Sequence, residues 1–97
     1  MNIFLEKFGT TLISRQAGKE AFSAFKPSLN NIPKDEQIVV DFKGVVTFSP
    51  SWGDEFLKPL VELYNNKVTL KNTENLSVKA TLEILEKIGN IKFNSNK

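Results

Sequence analysis

The chain of 97 residues contains no cysteine and no histidine. Disulfide frameworks, thiol nucleophiles, histidine-based catalytic triads and the usual zinc sites all depend on these two residue types. The chemistry that remains is that of carboxylates and hydroxyls. We therefore expect a protein that is not an enzyme and that carries neither a metal ion nor another cofactor.

Long apolar runs are missing as well. Runs such as residues 38–40 and 45–46 fall far short of the roughly 20 residues that a membrane-spanning helix needs. The chain begins MNIFLEKFG, where an acidic residue follows a very short apolar run, and a signal peptide does not have this pattern. Both observations predict a cytoplasmic protein with no membrane segment.

The excess of positive charge is small, with 13 basic against 11 acidic residues and a formal net charge of +2. The lysines are scattered among the acids, which is typical of a solvated surface and argues against a nucleic-acid partner. Apolar residues make up 40% and charged residues 25% of the chain, as in an ordinary globular domain. The length suffices for one domain with a single modest core.

Short strands and helices alternate along the chain, which predicts one small α/β domain in which helices pack on a mixed sheet. We expect strands at residues 3–5, 10–14, 37–42, 45–48 and 68–70, and helices at residues 15–29, 50–64 and 76–88. Pro27 predicts a kink in the first helix or its end just before the proline, and Pro59 predicts a kink in the second. The domain covers residues 1–91, and residues 92–97 are predicted to be a flexible tail.

The third strand is the clearest. Ile38, Val39 and Val40 form a continuous β-branched run, which is typical of a strand buried on both faces of a sheet. We therefore expect Val39 to be fully buried. Asp41 closes the strand and is expected to bond nearby backbone N–H groups in a turn.

The stretch TFSPSWGDEFL, residues 47–57, is the densest in polar and aromatic groups. Ser49 followed by Pro50 predicts a helix start, because serine is a favoured N-cap and proline suits the first helical position. Asp54 and Glu55 then lie in the first turn, where carboxylates complement the helix dipole. The stretch is thus explained as the start of a helix.

Two residues of this stretch allow a second interpretation. The hydroxyl of Ser51 is expected to satisfy backbone N–H groups, and its alternative role is that of a regulatory phosphorylation site. Trp52 begins the apolar face of the helix. It is expected either to anchor the helix on the sheet or to lie at a surface that contacts a partner.

The segment IVVDFKGVVTFSPSWGDEFLKPL, residues 38–60, resembles the signature of the STAS-like domain family, whose function is unassigned. The matching positions are Asp41, Phe42, Gly44 and Val45 in the turn and Ser51, Trp52, Asp54 and Glu55 at the helix start. Ser14 and Arg15, with Gly18 and Phe22, are similar to the family's first helix start, and residues 68–72 are similar to its last strand. The resemblance covers nearly the whole chain and implies a STAS-like fold.

The wider STAS fold is named from sulfate transporters and anti-sigma-factor antagonists. In the antagonists, a histidine-kinase-like ATPase that acts as a serine kinase phosphorylates a serine at the start of the corresponding helix, and this switches partner binding. Ser51 falls at that position when the chains are aligned on the Asp-x-x-Gly-Val turn. The resemblance therefore implies a regulatory protein–protein interaction module in bacterial signalling, with such an ATPase or a similar protein as its partner.

The predicted partner-binding residues are Ser49, Ser51, Trp52, Asp54, Glu55 and Arg15. Arg15 is expected to pair with Asp54 or Glu55 if the two helix starts lie side by side. Two other functions stay open, a small hydrolase that uses Asp54 or Glu55 and a structural subunit of a larger assembly. A cavity lined by Arg15 and the two carboxylates would favour the enzyme, and an exposed Trp52 would favour binding.

Overall fold

A computed structural model describes residues 1–33, 35–64, 67–89 and 91–96, and it confirms a single α/β domain. The elements in chain order are β1 (Asn2–Phe4), a 3-10 helix (Leu5–Phe8), β2 (Thr11–Leu12), α1 (Arg15–Leu29), β3 (Ile38–Asp41), β4 (Thr47–Phe48), α2 (Pro50–Tyr64), β5 (Val68–Lys71), α3 (Leu76–Gly89) and β6 (Asn94–Asn96). Within the described residues, none of the helices has the length and apolar character needed to cross a bilayer.

Four strands form the main sheet in the order β1-β3-β5-β6, and β2 pairs with β4 in a second, two-stranded sheet. All pairs among the described strands are parallel. We had expected a sheet of mixed strand directions, and this detail of the expectation differs from the structure. The reason lies in the connections. One α-helix lies between each strand of the main sheet and the next strand of that sheet. The helix returns the chain to the end of the sheet from which the preceding strand started, so the two strands run parallel.

The main sheet buries one face and leaves the other partly open. The side chains of Ile3, Val40 and Leu70 lie in register across three strands and are at most 2% exposed. On the opposite face Phe4 is 46% exposed and Val39 is half-buried. The prediction that Val39 is fully buried is therefore wrong, because the apolar core covers only the face that Val40 occupies.

Aromatic rings form the centre of the core between the helices and the sheet. The rings of Trp52 and Phe56 stack with centroids 4.9 Å apart and planes inclined by 21°. Phe8, which follows the first strand in the 3-10 helix, contacts both rings, and Phe48 meets Trp52 edge-on. Residues from three different elements, the 3-10 helix, β4 and α2, thus meet around the start of α2.

Helices α1 and α2 touch at their starts. The hydroxyl of Ser14 caps α1 by accepting the backbone N–H of Ala17 at 2.9 Å, as predicted. One turn later the backbone of α2 approaches so closely that a Cβ atom at Gly18 would lie 2.8 Å from the carbonyl oxygen of Trp52. Glycine at this position permits the close approach, which brings the first turns of the two helices together.

The two prolines lie inside helices that continue beyond them. α1 extends through Pro27 to Leu29 and α2 extends through Pro59 to Tyr64. Of the two alternatives expected at Pro27, a kink or a helix end just before the proline, the helix end is therefore wrong. Proline removes one helical hydrogen bond, whereas Leu29, two residues further on, is only 4% exposed and packs in the core.

The segment predicted as a flexible tail, residues 92–97, contains strand β6. Its residues pair with β5 in the register Thr69 with Asn94, Leu70 with Ser95 and Lys71 with Asn96. Before the strand, the backbone N–H of Phe93 donates to the carboxylate of Glu86 at 2.9 Å. Strand pairing at a sheet edge uses the backbone, so a polar sequence can supply it. Residue 97 lies outside the described residues.

Candidate functional site

Ser49 organises the start of α2. Its hydroxyl oxygen accepts the backbone N–H of Trp52 at 3.2 Å and its O–H donates to the backbone carbonyl of Ile13 at 2.7 Å. The first contact confirms the predicted N-cap. The second joins the start of α2 to the segment between β2 and α1, and so helps to hold the two helix starts beside each other.

In the described part of the chain, the hydroxyl of Ser51 does not bond the backbone N–H groups that we expected it to satisfy. The residue lies within the first turn of α2 and is partly exposed. Among the described residues no hydrogen bond to its hydroxyl is found, so the backbone-capping role belongs to Ser49 alone. The hydroxyl of Ser51 is therefore available at the surface.

We expect Ser49→Ala to lower the free energy of unfolding by about 1–2 kcal/mol, because the variant loses the N-cap and the bond to Ile13. The matched variant Ser51→Ala should change it by less than about 0.5 kcal/mol. Urea unfolding of both variants measures the difference. Equal losses would contradict the assignment of the cap to Ser49.

Arg15 bridges the two helices, as predicted, but Asp54 and Glu55 lie in the second turn of α2 and not in its first turn as we expected, because the helix already begins at Pro50. Its Nη1 atom donates to Asp54 Oδ2 at 2.8 Å and to Glu55 Oε2 at 2.7 Å. The side chain of Arg15 is 55% exposed, and those of Asp54 and Glu55 are 36% and 27% exposed. Lys58 approaches the second oxygen of Asp54 at 3.8 Å. Two carboxylates and a guanidinium are thus fixed at a surface accessible to a partner.

Hydrogen bonds to Asp54 and then to Glu55 raise the pKa of Arg15 above its usual value. Since the folded-state pKa is the higher one, the contribution of the bridge is present below the unfolded pKa and is lost only as the pH rises through the folded value. The guanidinium of Arg15 therefore stays positively charged throughout the physiological pH range.

Trp52 does not lie at the surface, in contrast to its predicted place in a partner-binding patch. The side chain is 1% exposed and is enclosed by the rings of Phe8, Phe48 and Phe56. The backbone of α1 covers it at Gly18. Trp52 anchors the helix in the core, and the surface near the helix starts is formed by its neighbours in sequence.

The exposed apolar residue beside this surface is Ile13, which the sequence did not single out. Its side chain is 51% exposed, and its carbonyl accepts the hydroxyl of Ser49. In the sequence Ile13 belongs to the strand that we expected at residues 10–14. The strand ends at Leu12, which leaves Ile13 outside the sheet.

Asp54 and Glu55 lie on the open surface of helix α2 and do not line a cavity. A cleft of about 220 Å³ does occur, but it lies between β5, α3 and Phe93, and neither carboxylate lines it. Within the described part of the chain, no group of three or more acidic side chains is placed to hold a metal ion.

Asp41 has the structural role that its position predicts. Its Oδ1 atom accepts the backbone N–H of Lys43 at 2.9 Å and the amide of Asn72 at 2.7 Å, and the residue is 7% exposed. Asn72 follows β5 with a φ of 58°, which is a conformation that asparagine tolerates. The pair ties together the ends of β3 and β5.

No protein-family model, curated protein or solved structure matches this chain.

Proposed function

We propose that the chain is a non-catalytic regulatory module that binds another protein through the α1–α2 surface, formed by Arg15, Ser51, Asp54 and Glu55. The observation that carries this proposal is the double contact of Arg15, which holds both carboxylates in one geometry at an exposed junction of two helices. The resemblance of residues 38–60 to the STAS-like signature supports the same function.

The chemistry of the surface suits protein recognition. Charged groups that are already fixed lose little conformational freedom on binding, and they steer a partner of complementary charge. With Lys58 at 3.8 Å from Asp54, the two carboxylates are balanced by two cations, so the surface offers a partner fixed charges of both signs. Ile13, half exposed beside it, offers an apolar contact in place of Trp52.

The partner class follows from the resemblance and is a histidine-kinase-like ATPase or a similar signalling protein of the bacterial cytoplasm. Ser51 is the residue through which such a kinase would act. It precedes Glu55 by four residues and so shares its helix face. A phosphate would add a charge of about −1.5 to −2 next to both carboxylates and would compete with them for Arg15. Phosphorylation would thereby change the charge pattern that the partner meets.

We expect Asp54→Lys and Glu55→Lys to weaken binding to a purified histidine-kinase-like ATPase from the same cell by about tenfold or more, because each reverses a charge at the centre of the surface. Isothermal titration calorimetry measures the affinity. Glu62→Lys is the matched control, since Glu62 is an exposed acid elsewhere on the same helix and should have no effect.

Incubation with the ATPase and ATP, followed by mass spectrometry, tests the switch separately, with Ser51→Ala as the unmodified control. Equal affinities for wild type, Asp54→Lys and Glu55→Lys would show that the α1–α2 surface does not bind this partner.

A further inference from the structure

The cleft between β5, α3 and Phe93 shares no residue with the α1–α2 surface. Its volume is about 220 Å³, whereas an engineered cavity of roughly 150 Å³ already holds benzene. Its apolar walls are the side chains of Leu70, Leu82 and Phe93, and the buried Thr73 completes the β5 side. Leu82 and Phe93 are half-buried, so they leave apolar surface open to the cleft. The cleft therefore has room for a small ring or branched chain together with a few polar atoms.

Charged side chains of α3 border the cleft. Lys79, Glu83 and Glu86 line it together with Leu82, because residues three, four and seven positions apart share one face of a helix. The carboxylate of Glu86 accepts the backbone N–H of Phe93 at 2.9 Å and so has a structural role. Lys79 and Glu83 are exposed, and the salt bridges among the described residues involve neither of them. A cation and an anion one helical turn apart are thus available at the edge of the cleft.

We propose that this cleft binds a free α-amino acid with an apolar side chain. Such a molecule carries its ammonium and carboxylate groups on one carbon atom, next to the side chain. The ammonium donates to Glu83, the carboxylate accepts from Lys79, and the apolar side chain lies between Leu82 and Phe93. Small-molecule sites have this composition, with mostly apolar walls and a few polar groups that fix the orientation of the ligand.

The charges and the size of the cleft disfavour other classes of ligand. A phosphate or a dicarboxylate would meet both Glu83 and Glu86, with Lys79 alone to balance them. An amine without a carboxylate would place its charge near the like charge of Lys79. Drug-sized ligands occupy pockets of roughly 300–1,000 Å³, so a nucleotide is too large. An apolar amino acid fits the volume and offers each of the two exposed charges an opposite one.

Titration of the isotope-labelled protein with L-phenylalanine, followed by two-dimensional NMR, tests the site. We expect saturable shifts of the backbone N–H signals of Leu70, Leu82 and Phe93 at ligand concentrations of about 0.1–10 mM. Phenylethylamine lacks the carboxylate and phenylpropionate lacks the ammonium group. Each should bind about threefold to tenfold more weakly than L-phenylalanine, because each loses one charged contact.

Two single variants assign the charged contacts. Glu83→Gln should weaken the binding of L-phenylalanine and phenylethylamine by about threefold to tenfold without weakening that of phenylpropionate. Lys79→Gln should weaken the binding of L-phenylalanine and phenylpropionate by a similar factor without weakening that of phenylethylamine. Glu62→Gln and Lys87→Gln are the matched controls, since both residues are exposed charges outside the cleft, and they should have no effect. Circular dichroism shows whether each variant keeps the wild-type fold.

Three results would overturn the proposal. An absence of shifts for all three compounds up to about 10 mM excludes the site. Shifts confined to other parts of the chain place the binding elsewhere. Equal affinities for the three compounds, unchanged in Glu83→Gln and Lys79→Gln, show that the cleft recognises an apolar group and not an amino acid. None of these results depends on the α1–α2 surface.

Discussion

Trp52→Ala will lower the free energy of unfolding by about 3–5 kcal/mol. The indole is 1% exposed and stacks on Phe56 at 4.9 Å, with Phe8 and Phe48 against its other sides. Removing it leaves a large cavity between α1, α2 and the sheet. The surrounding rings cannot fill this cavity, because the backbone of α1 is already in contact at Gly18.

Urea unfolding followed by circular dichroism measures this effect, and Leu63→Ala provides the comparison. Leu63 is on the same helix but 59% exposed, so its truncation should change stability by less than about 0.5 kcal/mol. Nearly equal stabilities of the two variants would refute the core position of the indole. Because Trp52→Ala disturbs the fold, a loss of partner binding in this variant would not identify a contact residue.

Val40→Asp will unfold the domain. Val40 is 0% exposed in the centre of the sheet, between Ile3 and Leu70 of the neighbouring strands. An aspartate there would be a buried charge without a partner, which costs about 4–5 kcal/mol or more. That is most or all of the roughly 5–15 kcal/mol by which a small domain is stable.

Val39→Asp is the control, since it introduces the same side chain one residue earlier. Val39 is half-buried on the open face of the sheet, where a carboxylate can stay hydrated, and we expect a loss of about 1 kcal/mol. The melting temperatures of the two variants compare their losses of stability. An equally large loss for Val39→Asp would mean that the second face of the sheet is buried as well.

The parts of the structure that the sequence predicts correctly depend on local chemistry. Ser14 and Ser49 cap helices because their hydroxyls bond N–H groups only three residues away. Asp41 bonds the N–H of Lys43 within its own turn. The bridge from Arg15 to the α2 carboxylates is the exception, because it spans about 40 residues. It could be predicted because Arg15 begins α1, the carboxylates lie near the start of α2, and a parallel α/β arrangement places the two helix starts together.

The predictions that were wrong concern burial, which depends on the segments from elsewhere in the chain that cover a residue. A β-branched run such as residues 38–40 looks the same whether the sheet is covered on one face or on both, so the exposure of Val39 could not be predicted. The spacing of Trp52, Phe56 and Leu60 predicts an apolar face, but aromatic residues at helix starts are also common anchors of interfaces. Only the approach of α1 at Gly18 decides between the two.

The single tryptophan of the chain gives the domain an internal fluorescent probe. Its indole is shielded from water by aromatic rings, so the folded protein should emit at shorter wavelength than the unfolded chain. The backbone of this residue meets α1 at Gly18, and its neighbours Asp54 and Glu55 hold Arg15. Any event at the α1–α2 surface that moves one helix start away from the other will admit water to the indole and shift its emission to longer wavelength without an added label.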